Sequence, residues 1–222
     1  MPRSFAHTAA LAFSLSALPF CAAAADHVAP PAGDAANYPA VDIHAAEQVA
    51  IAADPYDSKG KADIFRINYL NYGFLPVRVI ITNNSDHPIS LADARIDFIS
   101  AAGDKIPTSE AEDIERRVDR IKRPDSEPRL PPPLSHIGSK PGAKSKEIQD
   151  DFQAFEYSFV VVDPHTTRSG FLFYDVSGLT NPLAGAKLSL TTLRDGNGKE
   201  LFYFEIPFDK YLSARAGPRA EN

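Results

Sequence analysis

Short runs of apolar and β-branched residues recur along the chain and are separated by turn-forming residues. The clearest case is residues 73–99, where runs at 77–82 and 95–99 flank the hexapeptide Asn-Asn-Ser-Asp-His-Pro at 83–88. β-Branched and aromatic residues are enriched in strands, whereas Asn, Asp, Ser and Pro are enriched in turns. The pattern predicts a hairpin of a β-sandwich.

Further short strands are predicted on both sides of this hairpin. Residues 64–70 alternate apolar with polar side chains, which indicates a half-buried strand, with a short helix as the alternative. The other predicted strands are residues 49–51, 158–162, 170–176, 186–193 and 200–207. The last two are joined by Asp-Gly-Asn-Gly at 195–198, where Gly and Asn accept the positive φ of a tight turn. About seven or eight strands with regular turns predict a mainly β chain, an immunoglobulin-like β-sandwich.

Residues 107–155 interrupt this pattern, because their apolar period lengthens from two to about 3.6 residues. Ser109 and Glu112 form an S-x-x-E capping box, and a second amphipathic stretch begins near Ser145. The two apolar stripes are Ile114, Val118 and Ile121, followed by Ile148, Phe152 and Phe155. The pattern predicts an inserted pair of helices that pack on the sandwich, joined by a Pro-rich loop.

The first 25 residues follow the pattern of a secretion signal. Arg3 supplies a positive start, residues 9–21 form a short apolar core, and Ala23 and Ala25 precede a cut ahead of Asp26. This core is shorter than the roughly 20 residues that a membrane span needs, and no later run is long enough. The sequence predicts an exported protein, periplasmic or extracellular, without a membrane span.

Cys21 is the only cysteine of the chain. A lipid-anchored form at Cys21 is the weaker alternative, because bulky Phe20 stands where lipoprotein signals carry a small residue. Cleavage after Ala25 leaves no disulfide, so the stability of the exported domain comes from its apolar core. The net charge is −6 and basic residues are mixed with acidic ones, which disfavours a nucleic-acid partner.

Both ends of the predicted domain differ from it in composition. Residues 26–40 are rich in Ala and Pro and predict a disordered tether. The sandwich is assigned to residues 41–212, with the helical and Pro-rich insertion at 107–155. Residues 213–222 are assigned to a disordered tail.

Two segments carry a resemblance to a known family: GFLPVRVIITNNSDHPISL from Gly73, and GFLFYDVSGL from Gly170. Here the chain resembles uncharacterised exported bacterial proteins with an immunoglobulin-like β-sandwich. The resemblance covers most of residues 41–212. It implies a fold and an envelope location, and it implies no activity and no functional residue. The helices and the Pro-rich loop are additions to a minimal sandwich of this kind.

Reactive residues form few convincing constellations. The histidines outside the signal, namely His27, His44, His87, His136 and His165, lack the spacing of a zinc site. Two acidic loops are interpreted as ordinary turns in preference to calcium sites. One contains Asp54, Asp57 and Asp63, and the other contains Asp195, Asn197 and Glu200. We therefore predict no metal and no cofactor.

Catalytic motifs are matched only formally. Ser58 and Lys61 read S-x-x-K without the partner motifs of penicillin-binding enzymes, and Asp163, His165 and Ser169 share one short turn. Neighbouring Asp150 and Asp151 are expected to be solvated charges of the second helix, since their side chains point about 100° apart. None of these groups predicts a particular reaction.

A Pro-rich stretch is the main candidate for partner binding, and it consists of Arg129, Leu130, Pro131, Pro132, Pro133 and Leu134. An extended polyproline segment loses little entropy on docking, although a plain spacer is the alternative. Strand addition at residues 201–206, with Tyr203 and Glu205 exposed, is a second candidate.

The sequence thus favours a non-catalytic domain that binds another envelope protein or supports an assembly. The alternatives are an envelope hydrolase or carbohydrate-active enzyme with dispersed carboxylates, and a small-ligand site between the helices and the sandwich.

Overall fold

The computed structural model describes residues 27–122 and 143–216, which are mainly β. The strands are β1 (Val41–His44), β2 (Val49–Pro55), β3 (Phe74–Asn83), β4 (Ile89–Ser90), β5 (Arg95–Ile99), β6 (Lys105–Ile106), β7 (Val161–Val162), β8 (Thr166–Asp175), β9 (Lys187–Thr191) and β10 (Phe204–Pro207). The helices are α1 (Lys59–Ala62), α2 (Ala111–Lys122), α3 (Ala143–Phe155) and α4 (Asp209–Ala216), with short 3-10 helices at Ala35–Asn37 and Tyr69–Tyr72. None of these helices combines the length and the apolar character that crossing a membrane requires.

Two four-stranded antiparallel sheets pack face to face. The first has the order β1-β2-β3-β8 and the second the order β10-β9-β5-β6, while β4 and β7 form a short ladder of their own. The core between the two sheets includes Val77 and Val79 of β3, Phe98 of β5 and Leu188 and Leu190 of β9, all of them fully buried. Strands predicted at 49–51, 77–82, 95–99, 170–176 and 186–193 are confirmed, with shifted ends.

Strand β3 is buried along its whole length, on both faces. Side chains alternate between the faces of a strand, so Val77 and Val79 point to the second sheet while Phe74 and Ile80 point outward. Each outward side chain belongs to a separate apolar cluster. The first sheet is therefore covered by a third layer.

Helices α2 and α3 form one part of this third layer, as the apolar period predicts. Their buried side chains pack with the outward aromatic residues of β8, and the Phe152 ring stacks on Phe173 with centroids 4.6 Å apart. Ile121 is an exception to the predicted stripe, because the last turn of α2 extends past the cluster and leaves Ile121 55% exposed.

The predicted capping box of α2 is wrong by one residue. The Ser109 N–H donates to the Phe173 carbonyl of β8 at 2.7 Å, so Ser109 extends the sheet. Asp113 instead reaches back, and its Oδ2 accepts from the Glu110 N–H at 3.3 Å. Pairing with β8 thus sets where α2 begins.

Residues 27–40 form the other part of the third layer, which corrects the predicted tether at 26–40. The Ala35 N–H donates to Thr82 Oγ1 at 2.9 Å, and Arg78 Nη2 donates to the Pro30 carbonyl at 2.6 Å. Ala35 is fully buried against Ile80 of β3. The small side chains of an Ala-rich segment allow it to lie close against this face of the sheet. The composition of residues 26–40 alone does not reveal that this face has to be covered.

The hairpin predicted around residues 83–88 is also wrong. β3 pairs with β2 and β8, whereas β5 lies in the second sheet. The turn itself forms, since Asn83 Nδ2 donates to the His87 carbonyl at 2.7 Å and its Oδ1 accepts from the Ser85 N–H at 3.0 Å. The turn carries the chain from one sheet to the other.

Three smaller differences concern element ends. Residues 64–70 are turns leading into a 3-10 helix and not a strand, because the Arg66 N–H donates to the Asp151 carboxylate of α3 and not to a neighbouring strand. The turn at 195–198 forms as predicted, with Gly198 at φ 80°, but β10 begins only at Phe204. Residues 213–216 of the predicted tail belong to α4, which the Tyr211 hydroxyl anchors to Asp57 at 2.7 Å.

Gly170 of β8 provides a sharp stability test. A Cβ atom at Gly170 would lie 2.4 Å from Tyr157 Cα, at the point where the Tyr157 N–H donates to the Phe171 carbonyl at 2.9 Å. We expect Gly170→Ala to lower the free energy of unfolding by about 1–3 kcal/mol, the usual cost of overpacking. Denaturant titration measures this change. Gly60→Ala is the matched control, since that Cβ meets nothing within 4 Å, and an equal loss in both variants would contradict the account.

Candidate functional site

Strands β1 and β10 are outer strands of the two sheets and lie side by side. Asp42 joins them, because its Oδ2 accepts a hydrogen bond from the Glu205 N–H at 2.9 Å. A groove of about 550 Å³ opens beside this contact. We call it the β1–β10 surface, made of Asp42, His44, Glu47, Phe202, Tyr203 and Glu205.

The β1–β10 surface exposes two large aromatic side chains, and Ile43 is exposed on the opposite face of β1. Phe202 is 72% exposed, Tyr203 60% and Ile43 54%. Phe202 and Tyr203 precede the first paired residue of β10, Phe204, whose ring is fully buried. A second groove of about 480 Å³ lies on the other side of the two aromatic residues. Contiguous exposed apolar groups of this kind mark interaction sites.

Acidic side chains dominate the electrostatics of this surface. The His44 ring stacks on Phe204 with centroids 3.8 Å apart, and its Nε2 lies 3.3 Å from Asp42 Oδ2. His44 Nδ1 lies 3.9 Å from Glu47 Oε2. Glu205 Oε1 accepts from Lys187 Nζ at 2.6 Å. The surface thus carries three carboxylates and one neighbouring lysine, which gives it a net negative charge.

The edge of β10 is protected against strand addition, which bears on the prediction for residues 201–206. The Glu205 N–H points away from β9 and is bound by Asp42. Pro207, the next residue with the same orientation, has no N–H to offer. Charged groups and prolines commonly blunt such edges.

The Pro-rich candidate, with Arg129, Leu130, Pro131, Pro132, Pro133 and Leu134, lies outside the described residues, so its binding role stays a prediction. The helices on either side of it pack together, and Gln149 Nε2 of α3 donates to Glu115 Oε1 of α2 at 3.2 Å. Of the basic residues that follow, Lys144 donates to the Tyr72 hydroxyl and Lys146 to Asp150 Oδ2, the latter at 2.8 Å.

The expectation that Asp150 and Asp151 are both solvated is wrong for Asp151. Its carboxylate is fully buried and accepts from the Arg66 N–H at 3.0 Å, from Arg66 Nη1 at 2.9 Å and from the Tyr69 hydroxyl at 3.0 Å. Burial raises the pKa of Asp151, and the bonds from Arg66 and Tyr69 offset part of that effect. Burial beside Asp151 also raises the pKa of Tyr69. The group fastens α3 to the segment before β3.

The other candidate motifs serve structural contacts. Lys61 of the S-x-x-K match donates to Asp54 Oδ1 at 2.5 Å and to the Pro55 carbonyl at 2.7 Å. Asp57 binds Tyr211 and Arg215 of α4. The acidic side chains Asp54 and Asp57 are therefore bound by Lys61, Tyr211 and Arg215.

The remaining groups do not assemble into a site either. His165 Nε2 pairs with Asp86 Oδ1 at 3.0 Å, while Ser169 Oγ accepts from Arg78 Nη2 at 2.8 Å, so these two members of the formal triad have separate partners. Asp195 Oδ1 caps its own turn by accepting from the Asn197 and Lys199 N–H groups. Across residues 27–122 and 143–216, no three His, Cys, Asp or Glu side chains converge as metal ligands do.

Sequence reasoning identified Tyr203 and Glu205 and missed the β1 half of the surface. The stretch Val-Asp-Ile-His at 41–44 alternates apolar and polar residues, which is a strand signal. It lies within the residues assigned to the sandwich, but the first predicted strand begins only at residue 49. No local signal brings Asp42 to Glu205, because 163 residues separate them.

Comparisons of the chain with protein-family models, with curated proteins and with solved structures found no match.

The buried carboxylate of Asp151 generates a stability prediction. Asp151→Ala leaves the Arg66 guanidinium and the Tyr69 hydroxyl without their shared acceptor, so we expect a loss of about 3–5 kcal/mol in the free energy of unfolding. Asp150→Ala is the matched control, one residue away and half-buried, with its carboxylate bound by the exposed Lys146, and we expect a much smaller change. Chemical denaturation of both variants decides the matter, and similar losses would contradict a special role for Asp151.

The raised pKa of Asp151 adds a pH dependence. The native state holds the proton more tightly than the unfolded chain, so this group favours folding most at low pH and loses that contribution as pH rises. We expect the stability of the wild type relative to Asp151→Asn to fall above about pH 3.9 and to level off above the raised pKa. Denaturant titrations across this range test it, and a difference that grows with pH would contradict the assignment.

Proposed function

We propose that the protein is a non-catalytic, exported immunoglobulin-like domain of the bacterial envelope that binds another protein through the β1–β10 surface. The secretion signal at residues 1–25 and the resemblance at Gly73 and Gly170 support the location and the fold type. The two antiparallel sheets, packed face to face, fit the same fold type.

One observation carries the proposal: Phe202 and Tyr203 are exposed together beside a groove. A buried aromatic side chain removes about 150–250 Å² from water, so leaving two of them in solvent forgoes a large gain. Aromatic residues are also the side chains most often responsible for affinity at protein interfaces. Their position at two neighbouring strand ends suits a contact with a partner.

The polar groups of the surface favour binding over catalysis. Asp42 accepts a hydrogen bond from the Glu205 N–H, Glu205 accepts one from Lys187, and the His44 ring is stacked on Phe204. Each group is thus committed to a contact that shapes the surface. The residues that line the groove include neither serine nor cysteine.

An envelope hydrolase or carbohydrate-active enzyme is the second candidate, and one observation favours it. The groove gathers Asp42, Glu47 and Glu205 beside Phe202 and Tyr203, and a glycosidase needs two carboxylates roughly 5–10 Å apart. Turnover of an envelope polysaccharide that is lost in Glu47→Gln, with folding intact, would establish this function in place of the first.

The proposed contact is tested by recovering partners from envelope extract with three variants of the domain. Phe202→Ser with Tyr203→Ser should reduce recovery at least about tenfold, since central aromatic residues commonly contribute more than 1.4 kcal/mol each. Val160→Ser with Val161→Ser is the matched control, because these adjacent valines are 58% and 41% exposed and line neither groove. We expect the control to keep the partner.

The third variant separates the surface from the Pro-rich loop. It replaces residues 123–142 by a Gly-Ser linker and leaves Lys144 with its contact to Tyr72. Recovery should be unchanged in this variant. Loss of the partner here, with full recovery by the Phe202 and Tyr203 variant, would move the contact to the loop and contradict the proposal. Thermal unfolding of each variant confirms that it is folded.

A further inference from the structure

We propose that the partner binds as an extended segment that pairs with the outer edge of β1 and alternates basic with apolar side chains. This inference rests on the proposed function, because it specifies how the same surface recognises its partner. It moves strand addition from β10, where sequence reasoning placed it, to β1.

The backbone of β1 is oriented to accept a strand. The Ala53 N–H of β2 donates to the Ala40 carbonyl at 3.0 Å, and Asp42 stands opposite Ile51 in the same antiparallel register. Residues of an antiparallel pair alternate between pointing toward the partner strand and away from it. Ala40 and Asp42 therefore point to β2, and the N–H and C=O of Ile43 point outward. β1 is the end strand of its sheet in the described part of the chain.

The other end strands of the two large sheets are less suited. The edge of β8 is covered, since its Phe171 and Phe173 carbonyls accept from the Tyr157 and Ser109 N–H groups. β6 is two residues long, and β10 is protected by Asp42 and Pro207. Unprotected edge strands are the positions where an extended peptide adds to a sheet.

The two faces of β1 dictate different side chains on the added strand. Asp42 and His44 turn to the inner face, toward β10, while Ile43 is exposed on the outer face. Side chains on one face of neighbouring strands lie about 5 Å apart. A basic residue of the partner thus meets Asp42, with Glu47 and Glu205 beside it, and an apolar residue meets Ile43.

The charge and the aromatic residues of the β1–β10 surface both favour basic side chains on the inner face of the added strand. Three carboxylates and one lysine leave this surface negative. The exposed rings of Phe202 and Tyr203 can receive the apolar stem or the charge of a lysine or arginine. A strand with basic residues on one face and valine or isoleucine on the other satisfies both sides of β1.

The experiment uses the folded protein and synthetic peptides of three kinds, with amide hydrogen exchange at Ile43 followed by NMR. The first peptide is acetyl-Thr-Lys-Val-Lys-Val-Thr-amide, and the second replaces both lysines by glutamate. The third kind is a pair of copies of the first peptide, each methylated at every second peptide nitrogen. The two copies carry the methyl groups on opposite edges of the extended peptide. We expect saturating lysine peptide to slow exchange at Ile43 at least about tenfold and to leave Tyr203 unchanged.

The control peptides separate charge from backbone pairing. The glutamate peptide should bind about tenfold more weakly, because the attraction between its charged side chains and the acidic surface becomes a repulsion. One member of the methylated pair should give no protection at Ile43, because the edge of that peptide that faces β1 has no N–H groups left to donate. Ile43→Pro should abolish binding of the lysine peptide, and Ile43→Thr, which keeps the N–H, should retain most of it.

Several outcomes would overturn the inference: equal binding of lysine and glutamate peptides, protection at Tyr203 in place of Ile43, or no protection by any peptide. Its failure is distinct from that of the proposed function. If the Phe202 and Tyr203 variant loses its partner while no peptide protects Ile43, strand addition is overturned and the proposed function stands. If that variant keeps its partner, the proposed function fails, and this inference fails with it.

Discussion

Burial of β3 on both faces is the constraint on which the rest of the structure depends. A second sheet alone cannot bury ten consecutive residues, because that sheet covers only the side chains that point inward. The chain meets this requirement with two covers of different kinds. Helices α2 and α3 cover Phe74 and the aromatic residues of β8, and residues 27–40 cover Ile80.

These covers are held by polar contacts that need specific partners. Asp151 fastens α3 to Arg66 and Tyr69, and Arg78 fastens the N-terminal segment through the Pro30 carbonyl. Both are charged groups inside an otherwise apolar layer, where removing one partner costs far more than the pair contributes. With the outer face occupied in this way, the side where β1 and β10 meet keeps its apolar residues exposed.

Local sequence patterns predicted the elements well and their arrangement poorly. The period of Ile148, Phe152 and Phe155 identifies α3 because helix burial repeats over neighbouring turns. The pairing of β3 with β8 depends on residues about 90 positions apart, as with Val77 and Leu172, so the turn at 83–88 was mistaken for a hairpin. Asp151 looked solvated because its partner Arg66 lies 85 residues away. At the site, the sequence indicates an exposed Tyr203, while the place of Asp42 beside Glu205 depends on the fold.

The central claim is that the β1–β10 surface is where a partner binds, and site-specific photo-crosslinking in cells that produce the protein tests it most directly. A photoreactive phenylalanine at position 203 should give one defined crosslinked product. The same group at position 160, which is equally exposed on another part of the molecule, should give none. Absence of a product at 203, or the same product from both positions, would contradict the account.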